Sequence, residues 1–220
     1  MLSYDAVIFD LDGTLLDTLD DLKSAVNYAL DQMGFPSRTR KEVKAFVGNG
    51  VAKLMERAVP SGTSSQDTAR ALSLFKSYYA LHSKEMTAPY PGIPETLKAL
   101  RDKGCKLAVV SNKFDAAVKA LAQDYFPGLI NLAAGENEAQ GVPKKPDPAM
   151  VLQTLETIGV SPKQAVYVGD SDVDLQTAKN AGLPCISVTW GFRDRDFLLR
   201  HGAVTLIQTP EELLELCLEP

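Results

Sequence analysis

Two aspartates stand two positions apart directly after the first apolar segment of the chain. Tyr4–Phe9 has the sequence YDAVIF, and Asp10 and Asp12 follow it, with Gly13 completing the sequence DLDG. Two carboxylates buried close together repel each other unless a cation lies between them, and a hard divalent ion such as Mg²⁺ prefers oxygen ligands. A glycine here permits a tight turn and close approach of the backbone to a ligand. The pair predicts a metal site, with an ordinary Asp-Gly turn as the alternative interpretation.

The residues that follow this pair are typical of the start of a helix. Asp17 and Thr18 are residue types found at helix N-caps. Asp20 and Asp21 then fall in the first predicted turn, where the helix dipole favours negative charge. We therefore interpret these four residues as structural.

Two further segments carry groups that suit a phosphate. Ser111-Asn112-Lys113 follows a strand-like run and offers a hydroxyl, an amide and backbone N–H groups. Lys145 precedes Pro146 in the sequence KKPDP, and proline fits the first turn of a helix. A cation at a helix start opposes the helix dipole, which indicates that Lys145 serves another charged group. A Ser-Asn helix cap and a solvated pair of Lys144 and Lys145 are the alternatives.

A third acidic segment, Gly169-Asp170-Ser171-Asp172-Val173-Asp174, follows the apolar run Ala165–Val168. Carboxylates at alternate positions again suggest a bound cation. A calcium loop of the EF-hand type needs glycine at its sixth position and glutamate at its twelfth. Counted from Asp170, the twelfth position is Ala181, and the sixth is not glycine. The sequence therefore argues against a calcium loop.

The elements that carry these residues alternate between strands and helices. The middles of the strand-like runs are apolar and rich in β-branched residues, as in strands covered on both faces. Alternating β and α units predict an α/β fold with a mostly parallel sheet. The predicted strands are Tyr4–Phe9, Lys106–Val110, Ala165–Val168 and Pro184–Thr189, with weaker candidates at Leu129–Ala134 and Ala203–Ile207. Clear helical patterns cover Asp115–Asp124, Pro148–Ile158 and Val173–Ala181.

One region of about 70 residues breaks this alternation, and a βα loop needs only a few residues. From Thr18 to Thr87 the sequence shows helical patterns and no convincing strand. We predict an inserted all-helical module. Within it, Gly48 and Gly50 flank Asn49, and their N–H groups could bind a small anion. A helix C-cap followed by a turn explains this segment equally well.

The composition excludes several classes of protein. The chain of 220 residues has 23 basic and 28 acidic residues, a formal net charge of -5, and no basic block. Nucleic-acid binding is therefore not expected, because it depends on neutralising phosphates. No apolar run is long enough to span a bilayer, and no membrane partner is expected. The three cysteines, distant and odd in number, suit neither a disulfide framework nor a metal site, so we predict a cytoplasmic protein with reduced thiols.

Four short motifs occur in order at the ends of successive predicted strands. They are Asp10-x-Asp12-Gly13-Thr14, Ser111, Lys145-Pro146-x-Pro148 and Gly169-Asp170-x-x-x-Asp174. Together they resemble the motifs of the haloacid dehalogenase (HAD) superfamily of phosphohydrolases. The resemblance implies a Rossmann-like α/β core with helices on both faces, formed by residues 1–17 and 88–220, and an inserted helical cap formed by residues 18–87. Shorter signals are similar to the phosphoglycolate phosphatase branch: Asp17-Thr18, Val47-Gly48-Asn49-Gly50, Ser111-Asn112-Lys113 and Thr189-Trp190-Gly191-Phe192.

The resemblance also implies a role for each motif residue in a Mg²⁺-dependent phosphomonoester hydrolase. Asp10 is expected to be the nucleophile that forms an aspartyl-phosphate, and Asp12 the general acid and base. Lys145 is expected to bridge nucleophile and phosphate. The implied metal ligands are the Asp10 carboxylate, the Asp12 backbone carbonyl and Asp170, with Asp174 orienting water ligands. The expected substrate-binding residues are Gly13, Thr14, Ser111 and Asn112 in the core, and Gly48, Asn49 and Gly50 in the cap.

Several other functions stay open at this point. A hexose-phosphate mutase shares the core motifs, and a phosphatase for pyrophosphate or a nucleotide differs only in how the cap selects the substrate. A signalling receiver domain is smaller than this chain and lacks the helical insertion. A non-catalytic binding protein on the same fold is disfavoured by the complete set of motif residues. The expected partner is a small phosphorylated metabolite, bound by a monomer or homodimer.

Overall fold

The computed structural model describes residues 3–137 and 141–217. The chain divides into two compact units. One comprises Met1–Leu16 and Pro89–Pro220, and the other comprises Asp17–Ala88.

The first unit contains a six-stranded sheet whose described pairings are all parallel. The six strands are β1 (Ala6–Phe9), β4 (Lys106–Phe114), β5 (Leu132–Glu136), β6 (Ala165–Gly169), β7 (Cys185–Val188) and β8 (Thr205–Ile207). Their order is β5-β4-β1-β6-β7-β8, so the first strand lies near the centre. Phe9 at the end of β1 stands between Val109 of β4 and Val168 of β6. The predicted α/β class with a parallel sheet is confirmed.

The fourth strand is longer than the sequence predicted. β4 continues past Val110 to Phe114, because β5 runs beside it. The pairing passes from Ser111 opposite Gly135 to Phe114 opposite Glu136, with a register shift between them. Ser111, Asn112 and Lys113 therefore lie on an irregular strand end rather than at the start of a helix.

Helices cover both faces of this sheet, which explains why its strands are apolar throughout. Val7 and Phe9 of β1 belong to one buried cluster, which includes Leu97 and Leu121. Ala6 and Ile8 of the same strand belong to the other cluster, which includes Val151. The helices of this unit are α5 (Ile93–Asp102), α6 (Asp115–Tyr125), α7 (Ala149–Ile158), α8 (Asp172–Ala181), α9 (Arg195–Arg200) and α10 (Pro210–Cys217).

The second unit is helical. Its helices are α1 (Leu19–Gln32), α2 (Arg40–Phe46), α3 (Val51–Ala58) and α4 (Ser65–His82). Thr39 forms a capping box with Glu42 at the start of α2, and Ser64 caps α4. Two short strands, β2 (Leu16–Asp17) and β3 (Ala88–Pro89), pair with each other where the chain passes between the units. Among the described residues, no helix has both the length and the apolar character that crossing a membrane requires.

The start of α1 differs from the sequence-based interpretation. Thr18 occupies the N-cap position, but its side chain makes no capping hydrogen bond. The Asp17 carboxylate instead accepts a hydrogen bond from the Leu19 N–H at 3.2 Å. Asp21 lies in the first turn as predicted, but it is only 2% exposed. Its carboxylate accepts hydrogen bonds from the N–H groups of Met86 and Thr87 and from the Thr87 hydroxyl, at 2.7–3.1 Å.

Asp21 therefore ties the last residues of the helical unit to its first helix. Replacing Asp21 with alanine removes the acceptor for these hydrogen bonds and is expected to lower the free energy of unfolding by about 2–4 kcal/mol. Asp20→Ala is the matched control, because Asp20 is 37% exposed and pairs with Arg40 and Lys23 at the surface. That change is expected to cost less than about 1 kcal/mol. Urea unfolding of both variants measures the difference, and equal losses would contradict the role given to Asp21.

Candidate active site

The carboxyl ends of two neighbouring strands bring the predicted acidic residues together. Asp10 follows β1, and Asp170 and Asp174 follow β6. One carboxylate oxygen from each of these three residues lies within 4.8 Å of the others. The edge of an open parallel sheet is where α/β folds bind ligands, so the cluster stands at the place expected for a site.

The predicted lysine lies in the middle of this cluster. The Nζ of Lys145 is 3.0 Å from Asp10 Oδ1 and 2.8 Å from Asp174 Oδ1, and its side chain is 2% exposed. Burial acts to lower the pKa of Lys145, but the charges of Asp10 and Asp174 outweigh it and hold that pKa well above its ordinary value. Lys145 is therefore a permanent ammonium against the predicted nucleophile.

Tyr167 is a member of the site that sequence reasoning missed. It lies on β6, is fully buried, and its hydroxyl accepts a hydrogen bond from Lys145 Nζ at 3.0 Å. The same hydroxyl lies 3.1 Å from the Val110 carbonyl oxygen, to which it donates. Tyrosine in a strand is unremarkable in a sequence, so no signal marked it. In the structure it fixes where the ammonium of Lys145 stands.

The segment at the end of β4 holds the main chain of Lys145. The Asn112 side chain donates to the Lys145 carbonyl at 3.0 Å and accepts from the Lys145 N–H at 2.7 Å. Both polar ends of this amide are thus engaged with Lys145, which gives Asn112 a positioning contact, while its contact with phosphate stays a prediction. The Ser111 hydroxyl is buried and accepts from the Lys113 N–H at 3.3 Å.

Lys113 and Asp12 form a second ion pair at the same edge. Lys113 Nζ lies 3.0 and 3.3 Å from the two carboxylate oxygens of Asp12. The Lys113 side chain is 4% exposed and that of Asp12 is 16% exposed. The sequence predicts that Lys113 belongs to a phosphate-binding segment, but it predicts no separate role for this residue. One signal could have identified the role of Lys113. The end of β4 lies next to β1, which brings the third residue of Ser111-Asn112-Lys113 close to Asp12.

A loop after β7 surrounds Asp170. The Phe192 N–H donates to Asp170 Oδ2 at 2.6 Å, and the Thr14 hydroxyl lies 3.4 Å from Asp170 Oδ1. A Cβ on Gly13 would lie 2.4 Å from Asp170 Oδ2, and one on Gly191 would lie 2.3 Å from the Gly13 carbonyl oxygen. Both glycines are therefore required by close packing around the carboxylate. Thr14 holds Asp170 rather than facing solvent.

Trp190, in the same loop, packs against the core and donates from Nε1 to the Thr14 carbonyl at 3.0 Å. It therefore ties the β7 loop to the segment that follows Asp10 and Asp12.

Asp174 is held by the start of its own helix. Its carboxylate accepts from the Ser171 N–H at 3.1 Å and from the Ser171 hydroxyl at 2.6 Å, as part of a capping box. The third carboxylate of the segment, Asp172, is not in the cluster, because its side chain points toward Arg193 and is 39% exposed. The alternating aspartates thus divide into two that serve the cluster and one that does not.

The charges of the cluster suit a divalent cation. Asp10, Asp12, Asp170 and Asp174 face two ammonium groups, Lys113 and Lys145, so full ionisation leaves an excess of two negative charges. Without a cation, burial raises the pKa of Asp10 to about 7, with Lys145 opposing and Asp174 and Asp12 adding to the rise. Burial, with the charges of Asp174 and Asp10, also holds the pKa of Asp170 well above its usual range. Mg²⁺ binds oxygen ligands that together carry excess negative charge, so the donor set fits the predicted ion.

The predicted residues of the cap lie in the helical unit. Gly48, Asn49 and Gly50 form the connection between α2 and α3, and both glycines have positive φ values, +129° and +82°. Arg57 of α3 holds this connection, because its guanidinium donates to the Phe46 carbonyl at 2.7 Å and to Asn49 Oδ1 at 2.8 Å. These contacts stabilise the loop within its own unit.

The cysteines take no part in the site. All three are free thiols, as predicted. Burial raises the pKa of Cys105 to about 11 and those of Cys185 and Cys217 to about 12, which keeps them as neutral, unreactive thiols.

Comparisons with known proteins find relatives along nearly the whole chain. A phosphoglycolate phosphatase of Pseudomonas putida is 36% identical over 224 residues, covering 97% of this chain and 80% of that protein. A crystal structure from Lactobacillus delbrueckii subsp. bulgaricus, of a candidate phosphoglycolate phosphatase, is 40% identical with a TM-score of 0.94 and full coverage of both chains. CbbY from Rhodobacter sphaeroides, solved in complex with phosphate, is 27% identical with a TM-score of 0.70 and covers 96% of each chain.

The family model described as haloacid dehalogenase-like hydrolase matches residues 7–188, a range that holds all four motifs. The resemblance seen in the sequence is thereby confirmed: the chain belongs to the haloacid dehalogenase-like hydrolase family.

Proposed function

We propose that this protein is a Mg²⁺-dependent phosphomonoester hydrolase that works through an aspartyl-phosphate on Asp10. The observation that carries the proposal is the Asp10 carboxylate beside the Lys145 ammonium, 3.0 Å apart, in a buried cluster with Asp170 and Asp174. A carboxylate can attack a phosphate only where positive charge offsets the negative charge of both groups. Membership of a hydrolase family and relatives named phosphoglycolate phosphatase support the same reaction.

The reaction divides into two displacements at phosphorus. In the first, a carboxylate oxygen of Asp10 bonds to phosphorus while the bond to the ester oxygen breaks, and Asp12 gives a proton to the departing oxygen. In the second, Asp12 takes a proton from water, the water oxygen bonds to phosphorus, and the bond from Asp10 to phosphorus breaks. Inorganic phosphate and an alcohol are the products, and both aspartates return to their starting states.

The remaining residues of the edge hold charge and position. Lys145 would contact both Asp10 and the phosphoryl group, held by Tyr167 and Asn112. Ser111, with backbone N–H groups near Gly13, would hold the phosphoryl oxygens. The Asp10 and Asp170 carboxylates and the Asp12 carbonyl would hold Mg²⁺, with Asp174 orienting its water ligands. When bound, Mg²⁺ supplies positive charge that offsets the negative charge of the transferring phosphoryl group.

The substrate in this proposal is a small phosphorylated metabolite, with phosphoglycolate as the first compound to test because relatives carry that name. The helical unit, residues 18–87, is proposed as the cap that selects it, through Gly48, Asn49 and Gly50. A cytoplasmic monomer or homodimer completes the proposal. A screen of phosphoglycolate, pyrophosphate, nucleoside monophosphates and sugar phosphates, ranked by kcat/KM, tests the substrate. Release of no phosphate from any of them would refute the proposed hydrolase.

Asp10→Asn tests the nucleophile. The amide keeps the shape of the side chain but cannot form the aspartyl-phosphate, so kcat is expected to fall by at least about 1,000-fold. Asp172→Asn is the matched control, since Asp172 stands near the same edge but outside the cluster. It is expected to keep kcat within about threefold of the native value. Steady-state turnover of phosphoglycolate and p-nitrophenyl phosphate measures both, and full activity of the Asp10 variant would exclude the assignment.

Lys145→Met tests the buried ammonium against its neighbour in sequence. Removing Lys145 leaves Asp10 and Asp174 without their shared cation, and kcat/KM is expected to fall by at least about 100-fold. Lys144→Met is expected to leave kcat/KM within about threefold, because Lys144 is not in the cluster. Kinetics and thermal unfolding of both variants separate loss of activity from loss of folding. A larger effect at Lys144 would show that the wrong lysine has been chosen.

The metal assignment has a readout that does not depend on activity. Mg²⁺ that binds the folded chain alone should raise the melting temperature of the EDTA-treated protein by about 5 °C at saturating concentration. Asp170→Asn removes one carboxylate of the cluster and should abolish that rise. The Asp172→Asn control should retain it. An undiminished rise in the Asp170 variant would mean that Mg²⁺ binds elsewhere.

A further inference from the structure

The segment that forms α2, α3 and the loop between them carries an excess of positive charge. Residues 40–58 contain five basic and two acidic residues, a formal net charge of +3, in a chain whose net charge is -5. Both acidic residues have partners of their own, since Glu42 lies 3.4 Å from Arg38 and Glu56 lies 2.7 Å from Lys53. The segment therefore does not neutralise its own charge, which favours an anionic ligand.

Arg57 brings this positive charge to the loop. Its guanidinium donates to the Phe46 carbonyl oxygen at 2.7 Å and to Asn49 Oδ1 at 2.8 Å, and both acceptors are neutral. Within residues 3–137 and 141–217, no carboxylate forms an ion pair with Arg57. A guanidinium has five N–H donors, so the donors beyond these two hydrogen bonds, and the full charge, are available to a ligand.

A structural role accounts for only part of this arrangement. Phe46 is the last residue of α2, and a cation near the end of a helix interacts favourably with the helix dipole. That dipole corresponds to roughly half an elementary charge, and α2 has only 7 residues. Arg57 is also half-buried, so its charge has lost part of its hydration. An anion at the remaining donors would complete the compensation.

We propose that Arg57 binds the carboxylate of a short phosphorylated acid and so makes the helical unit selective for charge at the non-reacting end of the substrate. The planar donors of a guanidinium match the two oxygens of a carboxylate. One unpaired cation also matches the single charge of a carboxylate better than the roughly -1.5 to -2 of a second phosphate group.

The contact with Asn49 determines where Arg57 would act. It holds the guanidinium against the loop of Gly48, Asn49 and Gly50, through which the helical unit is proposed to select its substrate. This loop has no charged side chain of its own, and Arg57 supplies the charge. The inference rests on the proposed phosphatase function and names the residue that distinguishes an acid from a neutral substrate.

Binding of two inert phosphonates to the Mg²⁺-loaded protein tests the role of Arg57. 3-Phosphonopropionate and its amide, 3-phosphonopropanamide, have nearly the same size and shape, but only the first carries a carboxylate. Calorimetry of the native protein should give about 10- to 100-fold tighter binding of the carboxylate. In Arg57→Met this preference should fall to less than about threefold, because only the carboxylate binds more weakly. Arg70→Met removes an exposed arginine of α4 and should keep the native preference.

A second variant keeps Arg57 and occupies its charge. Asn49→Asp leaves an acceptor oxygen where the amide oxygen stands, 2.8 Å from the guanidinium, and gives Arg57 a carboxylate partner. The preference for 3-phosphonopropionate should again fall to less than about threefold, while the variant melts no lower than the native protein. This result does not require Arg57→Met to fold, and thermal unfolding shows whether each variant does.

Four outcomes would overturn the inference. One is an undiminished preference for the carboxylate in Arg57→Met or in Asn49→Asp. Another is parallel weakening of both phosphonates in Arg57→Met, which would make Arg57 an anchor of the loop alone. The third is a native enzyme that hydrolyses phosphate esters without preferring the carboxylate. The fourth is tighter binding of ethane-1,2-diphosphonate than of 3-phosphonopropionate, which would assign a second phosphate to Arg57. Failure of the proposed function is distinct, because the native protein would then release phosphate from no ester and bind none of these phosphonates.

Discussion

The arrangement of this protein depends on one electrostatic constraint: four carboxylates at a single sheet edge are opposed by only two ammonium groups among the residues described there. Lys145 pairs with Asp10 and Asp174, and Lys113 pairs with Asp12. The remaining negative charge is reflected in the raised pKa of Asp10, for which burial is the main cause. Such a cluster is costly by itself, and the divalent cation proposed for this site would offset its excess negative charge.

The sheet makes this concentration of charge possible. Because β4, β1 and β6 are adjacent and parallel, their carboxyl ends lie side by side, and residues about 100 positions apart in sequence come within hydrogen-bond distance. Helices on both faces bury the strands and so fix these ends in place. Uncharged groups also hold the charged side chains in place. The Tyr167 hydroxyl holds Lys145, and the close approach of Gly13 and Gly191 holds Asp170. Rigid support of this kind lets charged groups act without reorganising.

Much of the fold and of the candidate site could be predicted, because local sequence patterns reflect which residues the folded chain buries. Apolar runs predicted every strand of the six-stranded sheet, and the absence of such runs between Thr18 and Thr87 predicted a helical region. Asp10 and Asp170 could be named because charged residues directly after buried strands need a reason to be there. Asp174 continues the alternating carboxylates after Asp170, and Lys145 could be named because a cation at a helix start opposes the helix dipole. Tyr167 and the contacts of Asn112 could not be predicted. A tyrosine in a strand and an asparagine at a strand end have ordinary local explanations, and only the partners across the sheet distinguish them.

The sequence by itself determined the fold class, the order of the elements and the identity of the charged groups, since these follow from hydrophobic periodicity and from residue types at strand ends. Only the tertiary structure decided which charge meets which. It placed Lys113 on Asp12, Lys145 between Asp10 and Asp174, and Asp172 outside the cluster. It also made Asp21, a residue of the first turn of α1, a buried acceptor for Met86 and Thr87. The physical reason is that pairing depends on distances between strands and helices, and these are set by packing and register, which no local stretch of sequence contains.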